Sequence, residues 1–396
     1  MPVLLPPRRR ALAAALLLSA AVLTAGCSEN AATETYKDTE TYGAMFATAF
    51  ATAVPFRKAF SAGEAAAAEY LKTELRELGY DVAESFFDAN GTPVPEDRGE
   101  ATSRNLVATR RGTGFRVTDP ASGETRSVRR TVLLCAHYDT LLGSAEAEAA
   151  PGYDGIQDNA SGIAALLQAA RALKSEANGF DVRFAFFGAG GADQLGARVY
   201  LSGLSDVDLA GLEAVYCVES IYAGDKLYAN AGWSSLAAGR KYAMRKKLYE
   251  MTDLAIKYSI DLRTNQAGFS VDLLGDGAPV LFREVSSNKS DWVPFDAKGI
   301  PVVFFESYDF FARSLDATAE SRNPAFSTTM GRIRGTPSDG LAALQEILDA
   351  DRLKDRVDRV AFLLQKMVER GIDEGTADVT PQAATATPTG TPEAGS

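Results

Sequence analysis

Long apolar runs alternate with amphipathic stretches through the middle of this chain, and few folds accommodate that alternation. The runs "RRTVLLCAHYD" (129–139), "DVRFAFFGA" (181–189), "LEAVYCVES" (212–220) and "GIPVVFFES" (299–307) are continuously apolar at their centres. A strand written this way is buried on both faces, as in a mostly parallel sheet. Between the runs lie helical patterns. "AGEAAAAEYLKTELRELGYDV" (62–82) closes on Gly79, and "NASGIAALLQAARALK" (159–174) puts Ile163, Leu166, Leu167, Ala170 and Leu173 on one face. Further helices are expected over 193–203, 236–258 and 339–370. The pattern predicts an α/β fold: a mostly parallel, mixed central sheet with helices on both faces. Sites in such sheets lie beyond the C-terminal strand ends, where His137, Gly190, Glu219 and Glu306 all fall.

The ends of the chain read differently. Arg8, Arg9 and Arg10 precede the short apolar run "ALAAALLLSAAVLTA", which leads into "GC". Such a segment is an export signal rather than a membrane span. Small residues before Cys27 resemble the bacterial lipobox, which implies lipidation of Cys27 and anchorage on the outer side of the cytoplasmic membrane. The alternative is an ordinary secretory signal with an incidental cysteine. The expected organisation is a signal peptide over 1–26, a tether over 27–55, one domain over 56–370 and a disordered tail over 371–396, which lacks aromatic residues. The net charge of −11 argues against nucleic acid and against electrostatic docking on anionic lipid. A lipid chain, not surface charge, would hold the protein at a membrane.

Four segments, in order, are similar to those of the bacterial secreted di-zinc aminopeptidases. "AHYDT" resembles that family's His-x-Asp motif and "GIQDNASG" its Asp-Asn-x-Ser-Gly loop. "FAFFGAGGADQLGA" resembles its strand, Glu-Glu pair and following helix, and "SDWVPFDAKGIPVVFF" its Ser-Asp-His segment and last strand. "SRNLVA" (103–108) and "TPSD" (336–339) support the match, which spans roughly residues 57–368. Relatives of the family include glutaminyl cyclase and the transferrin receptor ectodomain, the latter a binding module.

The resemblance implies a site in which two zinc ions share an aspartate and a glutamate acts as general base. Carried over by position, it implies metal ligation by His137, Asp158 and Glu219, with Asp139 orienting the histidine. The base falls on Gly190, one ligand on Gly191 and the second histidine on Trp292. Glycine and indole offer no side-chain donor to zinc. The chain has one histidine in all, so a site needing two is incomplete. The bulk of Trp292 is expected to fill the vacated metal volume. The retained three would all serve one metal, so at most one zinc per chain is expected. Gly190→Glu alone should not rescue hydrolysis, since the base would return to a site still missing a metal.

Each retained residue also has a plainer role: His137 as a strand-end histidine bonded to Asp139, Asp158 as a helix cap, Glu219 as a solvated acid. Asp193, in the expected first turn of a helix, suits the helix dipole more than it suits a substitute base. Glu306 and Asp309 either line the pocket or are surface acids. Cys135 and Cys217 read as buried free thiols, with a disulfide as the alternative in an exported protein. The glycines at 188–191 do not complete a dinucleotide fingerprint, since Asp193 stands in the last glycine's place. The leading expectation is a peptidase-family lipoprotein that has lost hydrolysis and binds a peptide or protein ligand. The alternatives are an active single-zinc hydrolase and a structural cell-envelope protein.

Overall fold

The computed structural model describes residues 41–233, 241–264, 268–271, 277, 280–283, 290–312, 317–370 and 379–381. The signal segment, Cys27 and most of the tail lie outside them. Helix α1 (Tyr42–Ala53) opens the described chain. Phe46 and Phe50, one turn apart, stack at 5.5 Å between centroids. Both meet Tyr70 edge-on, at 5.9 and 5.5 Å. Gly43 N–H donates to Gln168 Oε1 at 2.9 Å. The second half of the expected tether is therefore a buried helix of the domain. Helix α2 (Ala62–Glu77) starts where Ser61 accepts from Glu64 N–H and Glu64 reaches back to Phe60 N–H, a reciprocal cap.

The strands follow in order: β1 (Val82–Phe87), β2 (Pro93–Val94), β3 (Ser103–Arg110), β4 (Phe115–Thr118), β5 (Thr125–Val128) and β6 (Thr131–His137). Helix α3 (Ser161–Leu173) leads to β7 (Asp181–Phe187), then α4 (Leu195–Ser202), β8 (Leu212–Val218) and β9 (Lys226–Ala231). After α5 (Lys241–Lys257) come β10 (Gly268–Val271), β11 (Val280–Arg283), β12 (Val302–Tyr308), α6 (Arg352–Glu369) and β13 (Val379–Pro381). The central sheet has eight strands in the order β2-β1-β3-β7-β6-β8-β12-β9. Its parallel heart, β7-β6-β8-β12, consists of the four continuously apolar runs. Antiparallel strands close both edges.

Burial alternates along β6 as a two-sided strand requires. Leu134 and Ala136 join the core under α1, α2, α3 and α6, while Leu133 and Cys135 join the opposite core under α4. The registers His137↔Phe187, Cys135↔Cys217 and Val218↔Phe305 bring the four parallel strands to an end at one level. Three residues of the expected disordered tail are ordered as β13, antiparallel to β4. No helix among the described residues is long and apolar enough to cross a membrane.

Candidate functional site

Two strand ends and one loop converge here. His137 closes β6 and Glu219 follows β8. Asp158 lies in the turn before α3. Its neighbour Asn159 links the strand ends, donating to His137 O at 3.3 Å and Val218 O at 3.1 Å. Asp339 holds the turn from below by accepting from Gln157 N–H at 2.8 Å and Asp158 N–H at 3.2 Å. Arg57, wholly buried, donates to four backbone carbonyls, those of Val54, Tyr138, Asp154 and Gly155. Cations and carboxylates on the framework thus fix backbone, and the strand-end side chains are left to face one another.

One donor atom from each of His137, Asp158 and Glu219 lies within 4.8 Å of the others. His137 Nε2 is 3.4 Å from Asp158 Oδ1 and 3.8 Å from Glu219 Oε1. Donors bound tetrahedrally at about 2 Å sit about 3.3 Å apart, so the set fits an ion such as zinc. Glu219 Oε2 is buried without a hydrogen-bond partner, as expected of an oxygen that a cation could satisfy. Burial opposes a charge on His137, but hydrogen bonds to Asp139, Asp158 and Glu219 outweigh it and raise the imidazole pKa well above its usual range. Burial likewise opposes ionisation of Asp158, and His137 more than compensates, lowering the carboxyl pKa.

The plainer roles change for Asp158 and Glu219, while His137 is a strand-end histidine held by Asp139. Asp158 makes no helix-cap bond to α3; its Oδ1 accepts from Ser220 Oγ at 3.1 Å. Glu219 is 3% exposed, so it is no solvated acid. Asp139 contributes its backbone as well as its carboxylate: His137 Nδ1 is 3.1 Å from the Asp139 carbonyl and 3.5 Å from Oδ1.

The Asp139 carboxylate is engaged by the loop after β7. Gly190 N–H donates to Oδ1 at 2.7 Å and Gly191 N–H to Oδ2 at 2.9 Å. Ala189 N–H donates to Glu64 Oε1 at 2.7 Å. Three successive amides are thus satisfied by two buried carboxylates, and burial followed by the nearby Asp139 charge pushes Glu64 up to about 8. The loop backbone comes so close that a Cβ at Gly190 would lie 2.6 Å from His137 Cβ. A Cβ at Gly191 would meet Asp139 Oδ2 at 3.2 Å and Leu141 Cδ2 at 3.5 Å.

Trp292 is buried in the core under α4, 6.0 Å from the Phe304 ring, and none of its atoms lies within 4 Å of a Cβ built at Gly191. The residue that shares Leu141 with Gly191 is Gly335, in left-handed backbone (φ +61°), whose Cβ would lie 2.8 Å from Leu141 Cδ1. Leu141 separates two glycines, and neither can supply a donor. The "GTPSD" stretch carried this signal beside the "TPSD" match.

Other expectations change too. Asp193 precedes α4 rather than opening it: both Asp193 and Gln194 are left-handed (φ 58° and 54°), and α4 starts at Leu195. Asp193 is exposed and pairs with Arg198 at 2.7 Å. Glu306 and Asp309 are buried, not surface acids; Asn230 donates to Glu306 at 3.1 Å and Arg322 pairs with Asp309 at 2.8 Å. Cys135 and Cys217 are buried free thiols, opposite each other on β6 and β8.

Two charged residues were missed. Asp291, 1% exposed, has both carboxylate oxygens without a hydrogen-bond partner, and burial raises it to about 7. Arg334 enters from the segment before Gly335 and donates from Nη1 to Glu219 Oε1 at 2.5 Å. Asp291 was visible in the "SDW" motif; Arg334 carried no motif signal.

A doubly covered mixed sheet with a histidine and carboxylates at its parallel strand ends defines a metallopeptidase-type α/β fold. A model of peptidase family M28 matches residues 120–329, and the chain belongs to that family. A curated relative, the alkaline phosphatase isozyme conversion protein of Escherichia coli K12, is 25% identical over 282 residues, covering 70% of this chain and 75% of its own. A zinc aminopeptidase from Bacillus subtilis superposes with TM-score 0.56 at 16% identity, over 83% of this chain and 95% of its own. An aminopeptidase from an Aneurinibacillus species gives 0.55 at 13%, over 89% and 98%. A glutaminyl cyclase from an Acidobacteriales bacterium gives 0.56 at 14%, over 85% and 97%. At such identities these structures establish the fold.

Proposed function

We propose that this protein is an exported, lipid-anchored member of the peptidase family in which hydrolysis has fallen to background and the fold serves to bind a peptide or protein ligand. The observation that carries the reading is the approach of residue 190 to His137. With 2.6 Å between a hypothetical Cβ and His137 Cβ, no side chain fits at that position on this backbone, so none can take a proton from water there. Four other acids are already engaged. Asp193 turns outward to Arg198, Glu306 is held by Asn230, and Glu64 and Asp139 are occupied by loop amides. General-base catalysis is worth roughly 10²–10⁴-fold. With glycine at 191 and indole at 292, neither side chain at the implied second metal position can bind an ion.

His137, Asp158 and Glu219 would hold at most one zinc, which when bound supplies Lewis acidity toward a carbonyl or water. These residues fix the donor geometry, and Asp139 fixes the imidazole. A second reading, a working single-zinc hydrolase, is favoured by the closeness of those three donors. The test is turnover of aminoacyl substrates by protein purified free of other peptidases, with zinc supplied and with a chelator. The expected outcome is background release of N-terminal residues in both. Turnover of about 1 s⁻¹ or more, within the ordinary enzyme range and abolished by His137→Ala, would establish the second reading instead.

A further inference from the structure

Arg334 is held as firmly as the three donors it faces. Glu320 Oε2 accepts from Ile333 N–H at 2.7 Å and from Arg334 N–H at 2.9 Å, pinning the backbone. Glu320 Oε1 lies 3.4 Å from Arg334 Nε, so the same acid also steers the side chain. The guanidinium is 20% exposed, and its Nη1 lies 2.5 Å from Glu219 Oε1. That oxygen is also the Glu219 atom nearest His137 Nε2, at 3.8 Å. The Glu219 oxygen nearest the histidine is therefore already engaged by a cation, which leaves Oε2, buried without a hydrogen-bond partner, as the oxygen open to a metal. Glu219, Glu320, Asp158 and Glu306 all favour the positive charge of Arg334. An arginine keeps that charge at any ordinary pH and presents a rigid fork to carboxylates.

We propose that Arg334 is the resident cation of this site: it competes with a divalent metal for Glu219 and holds metal affinity down. Two effects act in the same direction. The guanidinium neutralises the Glu219 carboxylate through Oε1 and so weakens its other oxygen as a ligand, and it places a like charge close to where the ion would sit. A positioning role, in which Arg334 presents Glu219 to the metal, predicts the opposite sign. The proposal rests on His137, Asp158 and Glu219 being the metal position; it does not depend on whether hydrolysis survives.

Zinc affinity measured by competition with a chromophoric chelator separates the two signs. Arg334→Gln should bind zinc at least tenfold more tightly than the unmodified protein, and zinc should raise its melting temperature more. Adding His137→Ala to Arg334→Gln should abolish the gain, which locates the zinc at this site. Arg334→Lys keeps the charge without the fork and should fall between the two. It serves as the second readout where the glutamine variant does not fold. Unchanged or weaker zinc binding in Arg334→Gln, weaker binding in Arg334→Lys, or a gain that survives His137→Ala would overturn the proposal.

Discussion

Gly190 shows how the loss of a functional side chain becomes built into packing. Its amide holds Asp139, and its α-carbon lies where any β-carbon would strike His137. Gly190→Ala should therefore destabilise the fold by about 1–3 kcal/mol, the range of overpacked cores, in a denaturant titration. Gly191→Ala, with contacts of 3.2 and 3.5 Å, should cost less than about 1 kcal/mol. Equal costs would mean that the loop yields freely. The same contact explains why Gly190→Glu should not restore hydrolysis: the carboxylate cannot enter without moving the histidine.

Asp291 makes a separate prediction about pH. Burial raises it to about 7, His137 opposes the shift, and Glu219, Asp139 and Asp158 add to it. A carboxyl whose folded pKa is raised contributes stability that is fully present below its unfolded pKa, near 4. That contribution is lost as pH rises through the folded value. With metal chelated, stability should fall between about pH 4 and pH 8, and Asp291→Asn should flatten the fall by on the order of 2–4 kcal/mol. A pH profile unchanged by the substitution would place the titration elsewhere.

At the scale of elements, the four parallel strands were legible because doubly buried strands have to be continuously apolar. The helices at 62–82 and 159–174 were legible from their spacing. Helix α1 was not. Its small residues and threonines read as a tether, and its one strong signal, Phe46 and Phe50 a turn apart, is too short to outweigh composition. Tertiary contact with Tyr70 and Gln168 decides it. Phe50→Ala should cost about 3–5 kcal/mol, as for a fully buried aromatic, where a tether residue would cost nothing measurable. The start of α4 was misplaced for a local reason. Two consecutive non-glycine residues in left-handed backbone delay the helix, and propensity disfavours that conformation for both.

Across the whole molecule, sequence gave the fold class and the three gathered donors, because each donor sits in a motif at a predicted strand end. It did not give Arg334, Leu141 or the place of Gly335. The places of Arg334 and Gly335 depend on how residues 317–335 pack against the strand ends, and no periodicity encodes that packing. The proposed lipid anchor is tested at this scale. Cys27→Ser should turn a membrane-associated protein into a soluble exported or uncleaved one, read by fractionation, because the net charge of −11 provides no second hold on anionic lipid. Membrane retention of a correctly cleaved mutant would point to a different attachment. The central claim is that this protein keeps half of a two-metal site. Its most direct test is the number of zinc ions tightly held per folded chain after saturation and dialysis, measured by elemental analysis beside His137→Ala. The account predicts at most one in the unmodified protein and none in the variant; two per chain, or one that persists in His137→Ala, would contradict it.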